Sequence, residues 1–537
     1  MGRKFRDGNR PDQAMLMPAD PREWLPDGHL AWKMLDLAKE MDLSRFGASY
    51  RADGKGGQPY HPQMMATLLL YCFCRGRNSS REIEMATFDD VGARIICGGL
   101  HPDHSTVAEF VGQNEEAVLA LLTESVKACA REGLVCLEVV AGDGTKLKAN
   151  AAMAANLTKE QLDAQISELE ALIGAEFRSW IQDMLDSEGT APPQADAACG
   201  DGPGGDGGGK RKWPKKPARA AQMLERRLAA RARLDALQYK DQPKLDARVA
   251  QLAARTEKKE AAVRKWEAAA AARLEARARK TAAGQKISGT RPIASIDQDC
   301  QVKRARQALD KTRADYQAAC RKAAGPAADP KAKVNPTDPS SLVMPLKKGG
   351  FDQLFNVQAL ATAKTQVILA ITRHPSPVDV QALETLLAQA RSVLRQAGIT
   401  DPIGKALFDA GYASDANFTA DIPETLYIAV TREARQTGRS PDGPAPQTKL
   451  PSWEQMTARL DTPEGRQLYK QRAATIEPVF AQLTARLGRT LHYRGNLAGA
   501  ELALWAASHN ILKAITARGK RLARQARKPP APAALAA

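Results

Sequence analysis

Three acidic side chains stand in settings that suit one shared site. Asp143 follows the apolar run Val135–Gly142, Asp409 follows the short run Ala406–Phe408, and Glu477 lies in a helical pattern that also carries Tyr469 and Arg472. Magnesium takes few protein carboxylates and keeps several waters. Two such ions can share one carboxylate and take one more each. One then serves the attacking oxygen and the other the departing oxygen of an in-line displacement at phosphorus. Three acids meeting at a point must come from separate elements, so the strands leading to Asp143 and Asp409 have to be neighbours. Taken singly, each acid also reads as a surface carboxylate or a cap, and Asp409, before Ala-Gly-Tyr, could simply start a turn.

The elements that would position these acids follow from periodicity. Val135–Gly142 is β-branched and apolar, a buried strand. Phe355–Thr362 and Val367–Thr372 are two further strands, joined as a hairpin by Ala363-Lys-Thr-Gln366. Pro377–Gln396 reads as a helix, Ala406–Phe408 and Thr425–Val430 as strands, Glu464–Leu487 as a helix, and Ala498–Arg524 as a long last helix. This order is ribonuclease-H-like, and the expected fold class is mixed α/β. Residues 133–154 and 334–525 would form the core.

Two segments stand apart from it. Residues 25–132 read as all-helical, with a helix over His61–Arg75 and capping boxes at Ser79-Ser-Arg-Glu82 and Thr106-Val-Ala-Glu109. Short helices with turns at Gly76–Asn78 and Gly98–His104 suit a helix-turn-helix-like DNA reader, and equally an ordinary helical packing domain. Residues 155–333 are a long helical, coiled-coil-like insertion between the first and second core strands. Leu162, Ile166, Leu169, Ile173, Phe177, Ile181 and Met184 recur at helical spacing. Cys199–Gly209 is a Gly/Pro-rich linker, followed by the basic run Lys210–Lys216. Helical breaks are expected at Pro243 and over Gly284–Pro292. Residues 1–24 and 526–537 are expected to be loose tails.

The 537 residues suffice for several domains, and the formal net charge of +17 points to a polyanionic partner, most simply nucleic acid. The 8 cysteines are scattered without a CxxC pair; Cys72 and Cys74, two apart, fall on different sides of a helix. That excludes a zinc site of the usual spacing and suits a reducing compartment. The first twenty residues lack the apolar core of a signal peptide, and the longest apolar stretch, around Met64–Cys74, is too short to span a bilayer. A cytoplasmic, nucleoid-associated bacterial protein with no membrane partner is the expectation.

Several stretches together carry a family resemblance. Tyr50–Tyr60, the helix after it, and Cys74-Arg-Gly-Arg-Asn-Ser-Ser80 form one group. Val139-Val-Ala-Gly-Asp-Gly-Thr-Lys-Leu-Lys-Ala-Asn150 is a second. Asn335-Pro-Thr-Asp-Pro339, Phe355-Asn-Val-Gln-Ala359 and Phe408-Asp-Ala-Gly-Tyr412 are a third. Tyr469-Lys-Gln-Arg472, Glu477-Pro-Val-Phe480, Tyr493-Arg-Gly495 and His509-Asn510 complete the set. The chain resembles the DDE transposases of bacterial insertion sequences, in the branch with an InsH-type helical N-terminal domain. The resemblance implies Asp143, Asp409 and Glu477 as the catalytic, metal-binding triad, two Mg²⁺ or Mn²⁺ ions as cofactors, and Lys146, Tyr469, Arg472 and Arg494 as DNA contacts. It implies cleavage at element ends and transfer of the 3′-hydroxyl into target DNA. The DNA partners would be terminal inverted repeats and target, engaged by a homodimer or higher oligomer. Many relatives carry a lysine seven residues after the glutamate; here that position is Thr484. Two other readings use the same residues: a decayed copy that only binds element ends, and a structure-selective nuclease that cuts and never joins.

Overall fold

The apolar runs of this chain pair into one mixed sheet and coil into helices that cover it. The computed structural model describes residues 20–47, 58–188, 215–239, 242–283, 295–324, 333–346, 349–430 and 451–526. The chain divides into two compact units, Met1–Met153 with Ser340–Ala537, and Ala154–Pro339. The Gly/Pro linker at 199–209, the basic residues 210–214, most of the 1–24 and 526–537 tails and most of the Tyr50–Tyr60 stretch lie outside the described residues.

The first unit opens with α1 (Leu30–Glu40), α2 (Pro62–Cys74), α3 (Ser80–Asp89), α4 (Val91–Ile96), α5 (His104–Gln113) and α6 (Glu115–Arg131). α2 is apolar all round, and every residue from Met65 to Cys74 is buried, as such a helix requires. Ser79 and Glu82 close the expected capping box at α3. The second box does not form. α5 begins at His104, and its cap is Asp103, which accepts from the Thr106 amide at 2.8 Å. Asp is the better cap, so the helix starts earlier than Thr106 would allow.

β1 spans Val139–Lys148. The expected strand at 135–142 is thus shifted, and Asp143 lies inside the strand rather than after it. The cause is β3 (Phe351–Thr362), whose antiparallel ladder keeps Val140 to Lys148 extended. Beyond Asp143 the burial alternates, with Leu147 inward between exposed Lys146 and Lys148.

The second unit holds α7 (Lys159–Glu188), α8 (Lys215–Tyr239), α9 (Gln242–Ala282) and α10 (Cys300–Ala324), with α7 packed on α8 and α9 on α10. Its small core joins Leu162, Ala230, Leu234 and Val334. In the heptad-like stripe of α7, Leu162 is buried and Ile166, Leu169 and Ile173 are half-buried. The break expected at Pro243 falls between α8 and α9, with Pro243 in the first turn of α9, where its missing N–H costs nothing. The arms are laced by ion pairs such as Arg306–Glu267 and Arg313–Glu260.

The first unit resumes with β2 (Leu342–Pro345), β4 (Ile368–His374), α11 (Leu383–Gln396), β5 (Lys405–Phe408), α12 (Asp415–Phe418), β6 (Thr425–Ile428), α13 (Pro451–Asp461), α14 (Pro463–Tyr469), α15 (Gln471–Leu487) and α16 (Leu497–Ala526), with β3 between β2 and β4. The sheet order is β2-β3-β1-β5-β6, and β4 pairs with β3. β1, β2 and β4 run antiparallel to β3, whereas β1–β5 and β5–β6 are parallel. β3 is buried from Gln353 to Thr362, as a strand covered on both faces should be. β2 has no counterpart in the expected order; four residues are too few for an alternation to register.

Two helices differ from expectation. Residues 377–382 form bends and a turn, closed by the Ala382 amide on the Asp379 carbonyl, so α11 starts only at Leu383. The helix expected over 464–487 breaks at Lys470 into α14 and α15. α15 also contains Pro478, which has no N–H to give the Ala474 carbonyl. The side-chain amide of Gln366 donates to that carbonyl instead, at 3.2 Å, from the β3–β4 turn. Gln366 holds a left-handed φ of 56° to do so.

α16 packs against α6 and α2, and one continuous core runs from Ala31 to Ala514. Cys72, Cys74, Cys97 and Cys129 are buried free thiols. No helix of the described residues is long and apolar enough to cross a membrane. Glu501 of α16 is fully buried and accepts from the His492 and Tyr493 amides at 2.8 and 2.9 Å. Burial pushes its carboxyl up from 4.5 to about 8. With the folded pKa above the unfolded one, this group's stabilisation is full below about pH 4.5 and is lost as pH rises toward 8. The loss approaches about 1.4 kcal/mol per pH unit. Glu501→Gln keeps an acceptor for both amides and cannot ionise. Thermal melts at successive pH values should therefore show the wild type falling below the variant, by a gap that widens from pH 5 to 8.

Candidate active site

Asp143 is held in place by what fills the other side of its strand. A Cβ at Gly142 would meet the Phe408 ring at 2.3 Å, and one at Gly144 would meet Gln358 Nε2 at 2.5 Å. A side chain at Gly142 would run into the Phe408 ring, whereas one at Gly144 would displace the end of the Gln358 side chain. The parallel ladder pairs Ala141 with Leu407. Two residues on, Asp143 continues β1 while Asp409 lies just past the end of β5, near enough for its charge to act on Asp143. The adjacency that a shared carboxylate site demands is therefore present. Asp409 also caps the short turn Ala410–Tyr412, accepting from the Gly411 amide at 2.9 Å.

α15 brings the remaining charges. Arg472 Nη1 donates to Asp143 Oδ2 at 3.1 Å, and its Nη2 lies 4.0 Å from Glu477 Oε1. Arg472 thus bridges the first acid and the glutamate, a pairing that the spacing along α15 alone does not suggest. Burial raises the Asp143 carboxyl above its usual range; Arg472 opposes this and the Asp409 charge adds to it. The Glu477 side chain is 64% exposed, beside the exposed small residues Ala473, Ala474 and Ala481.

The donor set is carboxylate oxygen throughout, which suits a hard divalent cation. Among the described residues, no three His, Cys, Asp or Glu side chains are placed to hold a metal ion together. As the site stands, the Arg472 guanidinium supplies the positive charge beside Asp143.

The other expected contacts are placed variously. Lys146 is exposed on β1 and donates to the Pro345 carbonyl at 3.3 Å. Tyr469 ends α14, just before the Lys470 break. Arg494 is committed to the loop after β1, donating to the Asn150 carbonyl at 2.8 Å and its side-chain oxygen at 3.3 Å. Thr484 turns its hydroxyl back to the Phe480 carbonyl at 2.8 Å.

A fourth acid at the site has no motif of its own in the sequence. Asp379 Oδ1 accepts from Asn356 Nδ2 at 2.8 Å and from Gln358 Nε2 at 2.7 Å. Tyr412, on the Asp409 turn, donates its hydroxyl to Gln358 Oε1. A Cβ at Gly411 would lie 2.9 Å from Asp409 Oδ1 and 3.3 Å from Asp379 Oδ2, so both carboxylates crowd that glycine. The signal is present in β3: Asn356 and Gln358, two apart, put two amides on one face of the buried middle of the strand, and buried amides need partners.

Residues 19–113 match the family model of a transposase domain, DUF772, and residues 446–515 match that of a transposase DDE domain. The second match contains Arg472 and Glu477 but neither aspartate. No curated protein and no solved structure matches the chain. The two matches together support a DDE transposase of insertion-sequence type.

Proposed function

We propose that this chain, a DDE transposase of insertion-sequence type by its two matched segments, cuts DNA at the ends of its element and joins the freed 3′-hydroxyls to target DNA. The observation that carries the reading is that Asp143 lies on β1 and Asp409 just past the end of the adjacent parallel strand β5, with Arg472 of α15 hydrogen-bonded to Asp143 and 4.0 Å from Glu477. The strand order, three antiparallel strands followed by two parallel ones, supports a ribonuclease-H-like core. Asp143 and Asp409 would hold the divalent metal with Glu477 as third ligand. When bound, Mg²⁺ or Mn²⁺ supplies positive charge at the attacked phosphorus and its oxygens.

The chain's own groups have distinct tasks. Asp143 and Asp409 present carboxylates from a rigid sheet. Arg472 hydrogen-bonds Asp143, opposes the effect of its burial, and would receive a phosphate oxygen beside it. Residues 25–132, with α3 and α5, would read the element ends, while Lys and Arg contacts to phosphates would make that binding salt-dependent. Lys146, Tyr469 and Arg494 remain the further DNA contacts of this reading, Arg494 by ordering the loop after β1.

The test is incubation of the wild-type protein with Mg²⁺ and end-labelled DNA spanning the boundary between the element and its flank. Nicking at that boundary, absent without Mg²⁺, is expected. Binding without nicking would identify an end-binding protein and overturn the catalytic reading.

A further inference from the structure

A cavity of about 750 Å³ opens between α15, α16 and the β3–β4 turn. Arg486, Lys513 and Lys520 line it together with His509, and its lining contains no carboxylate. Arg486 Nη2 donates to Ser508 Oγ at 3.1 Å, while its Nε is buried and makes no hydrogen bond. Lys513 reaches only Gln366 Oε1, at 3.5 Å. His509 is neutral, pushed down to about 3 by burial, with its Nε2 on the Gln366 carbonyl at 2.9 Å. Glu132, on the neighbouring surface, is already held by Arg518 and Arg521 at 2.9 and 2.8 Å.

Among the described residues, two half-buried cations and an exposed third therefore face one cavity whose lining holds no carboxylate. Burial lowers the affinity of both Arg486 and Lys513 for their protons, opposed only in part by the Cys74 and Cys129 thiols. Such an arrangement is costly unless an anion completes it. The cavity is distinct from the carboxylate site. Arg486 follows Glu477 by nine residues, about 13 Å along the axis and about half a turn around it, so the two face opposite sides of α15.

We propose that this cavity is a second phosphate site, which takes a backbone phosphate of a DNA segment separate from the one at the carboxylates. The proposal rests on the transposase reading for the choice of DNA as the source of phosphate.

The test measures binding of random-sequence duplex DNA by the full chain, by anisotropy from 50 to 200 mM salt. The double variant Lys513→Gln/Lys520→Gln is compared with wild type, and Arg486→Lys serves as the charge-keeping control. Each phosphate that the protein no longer neutralises should reduce the slope of log affinity against log salt by about 0.9. The slope of the double variant should fall by about one such step, and that of Arg486→Lys should stay at the wild-type value. The double variant should also melt no lower than wild type, because it removes an uncompensated buried charge. An unchanged slope in the double variant would overturn the proposal while leaving DNA binding elsewhere intact. Inorganic phosphate supplies the second arm. If it raises the wild-type melting temperature and not the variant's, with the DNA slope unchanged, the ligand is a free anion and the DNA assignment is overturned. Should wild type bind no DNA at all, the transposase reading fails by itself. The phosphate shift then supports the cavity as an anion site, and its absence overturns that as well.

Discussion

Asp409→Ala should lower DNA strand cleavage about 1000-fold or more, with DNA binding held within about twofold. Asp143→Ala should do the same. Both acids sit at the end or middle of strands whose core contacts are made by neighbouring apolar residues, so their loss removes charge where it is wanted and little packing. Asp409 does accept from the Gly411 amide, and losing that cap should cost about 1 kcal/mol. Asp409→Asn separates the two effects: it keeps a side-chain oxygen for the amide, so the fold should recover while cleavage stays lost. Gel assays of end-labelled DNA, paired with anisotropy on the same preparations, measure both quantities. Cleavage by either alanine variant at the wild-type rate would remove these residues from the site.

The second large effect is expected on α15. Glu477→Gln keeps size, removes charge, and should abolish metal-dependent cleavage. The carboxylate is 64% exposed and its helix neighbours are small, so the substitution leaves packing intact. Arg472→Ala is different. Arg472 is only 12% exposed and hydrogen-bonds Asp143, so its removal frees a buried carboxylate from its counter-charge. That variant should bind DNA more weakly and cleave less, roughly 10- to 100-fold, with some cleavage retained. A fully active Glu477→Gln would leave the chain a binder, whatever Arg472→Ala does.

The chemistry made part of this site legible before any coordinates. Acids that share ions need neighbouring strands, and β1 and β5 are neighbours. The apolar runs mark the helical N-terminal segment, the hairpin of β3 and β4, and α16 nearly to their ends. What escapes them are features set by tertiary partners. β1 extends past Gly142 because β3 pairs with it, and nothing local in Asp-Gly-Thr-Lys signals a strand. Asp103 outcompetes Thr106 for one cap, a choice between two plausible residues three apart. The helix expected through Pro478 does continue, but its partner does not show in the sequence: Gln366, over a hundred residues earlier, donates to the carbonyl that Pro478 leaves. Asp379 lies in a Pro-containing loop with no pattern of its own; only the amides of Asn356 and Gln358 call for it. The pairing of Arg472 with Asp143 likewise depends on how α15 crosses the sheet, which helical periodicity does not specify.

Strand transfer is the measurement that bears most directly on the central claim. Wild-type protein, Mg²⁺, a labelled DNA end with an exposed 3′-hydroxyl, and an unlabelled target plasmid are combined, and the products are run under denaturing conditions. The account expects label joined covalently to plasmid strands by wild type, and none with Asp143→Asn, Asp409→Asn or Glu477→Gln. Cut ends with no joined product from wild type, or joined product from any of the three variants, would contradict it.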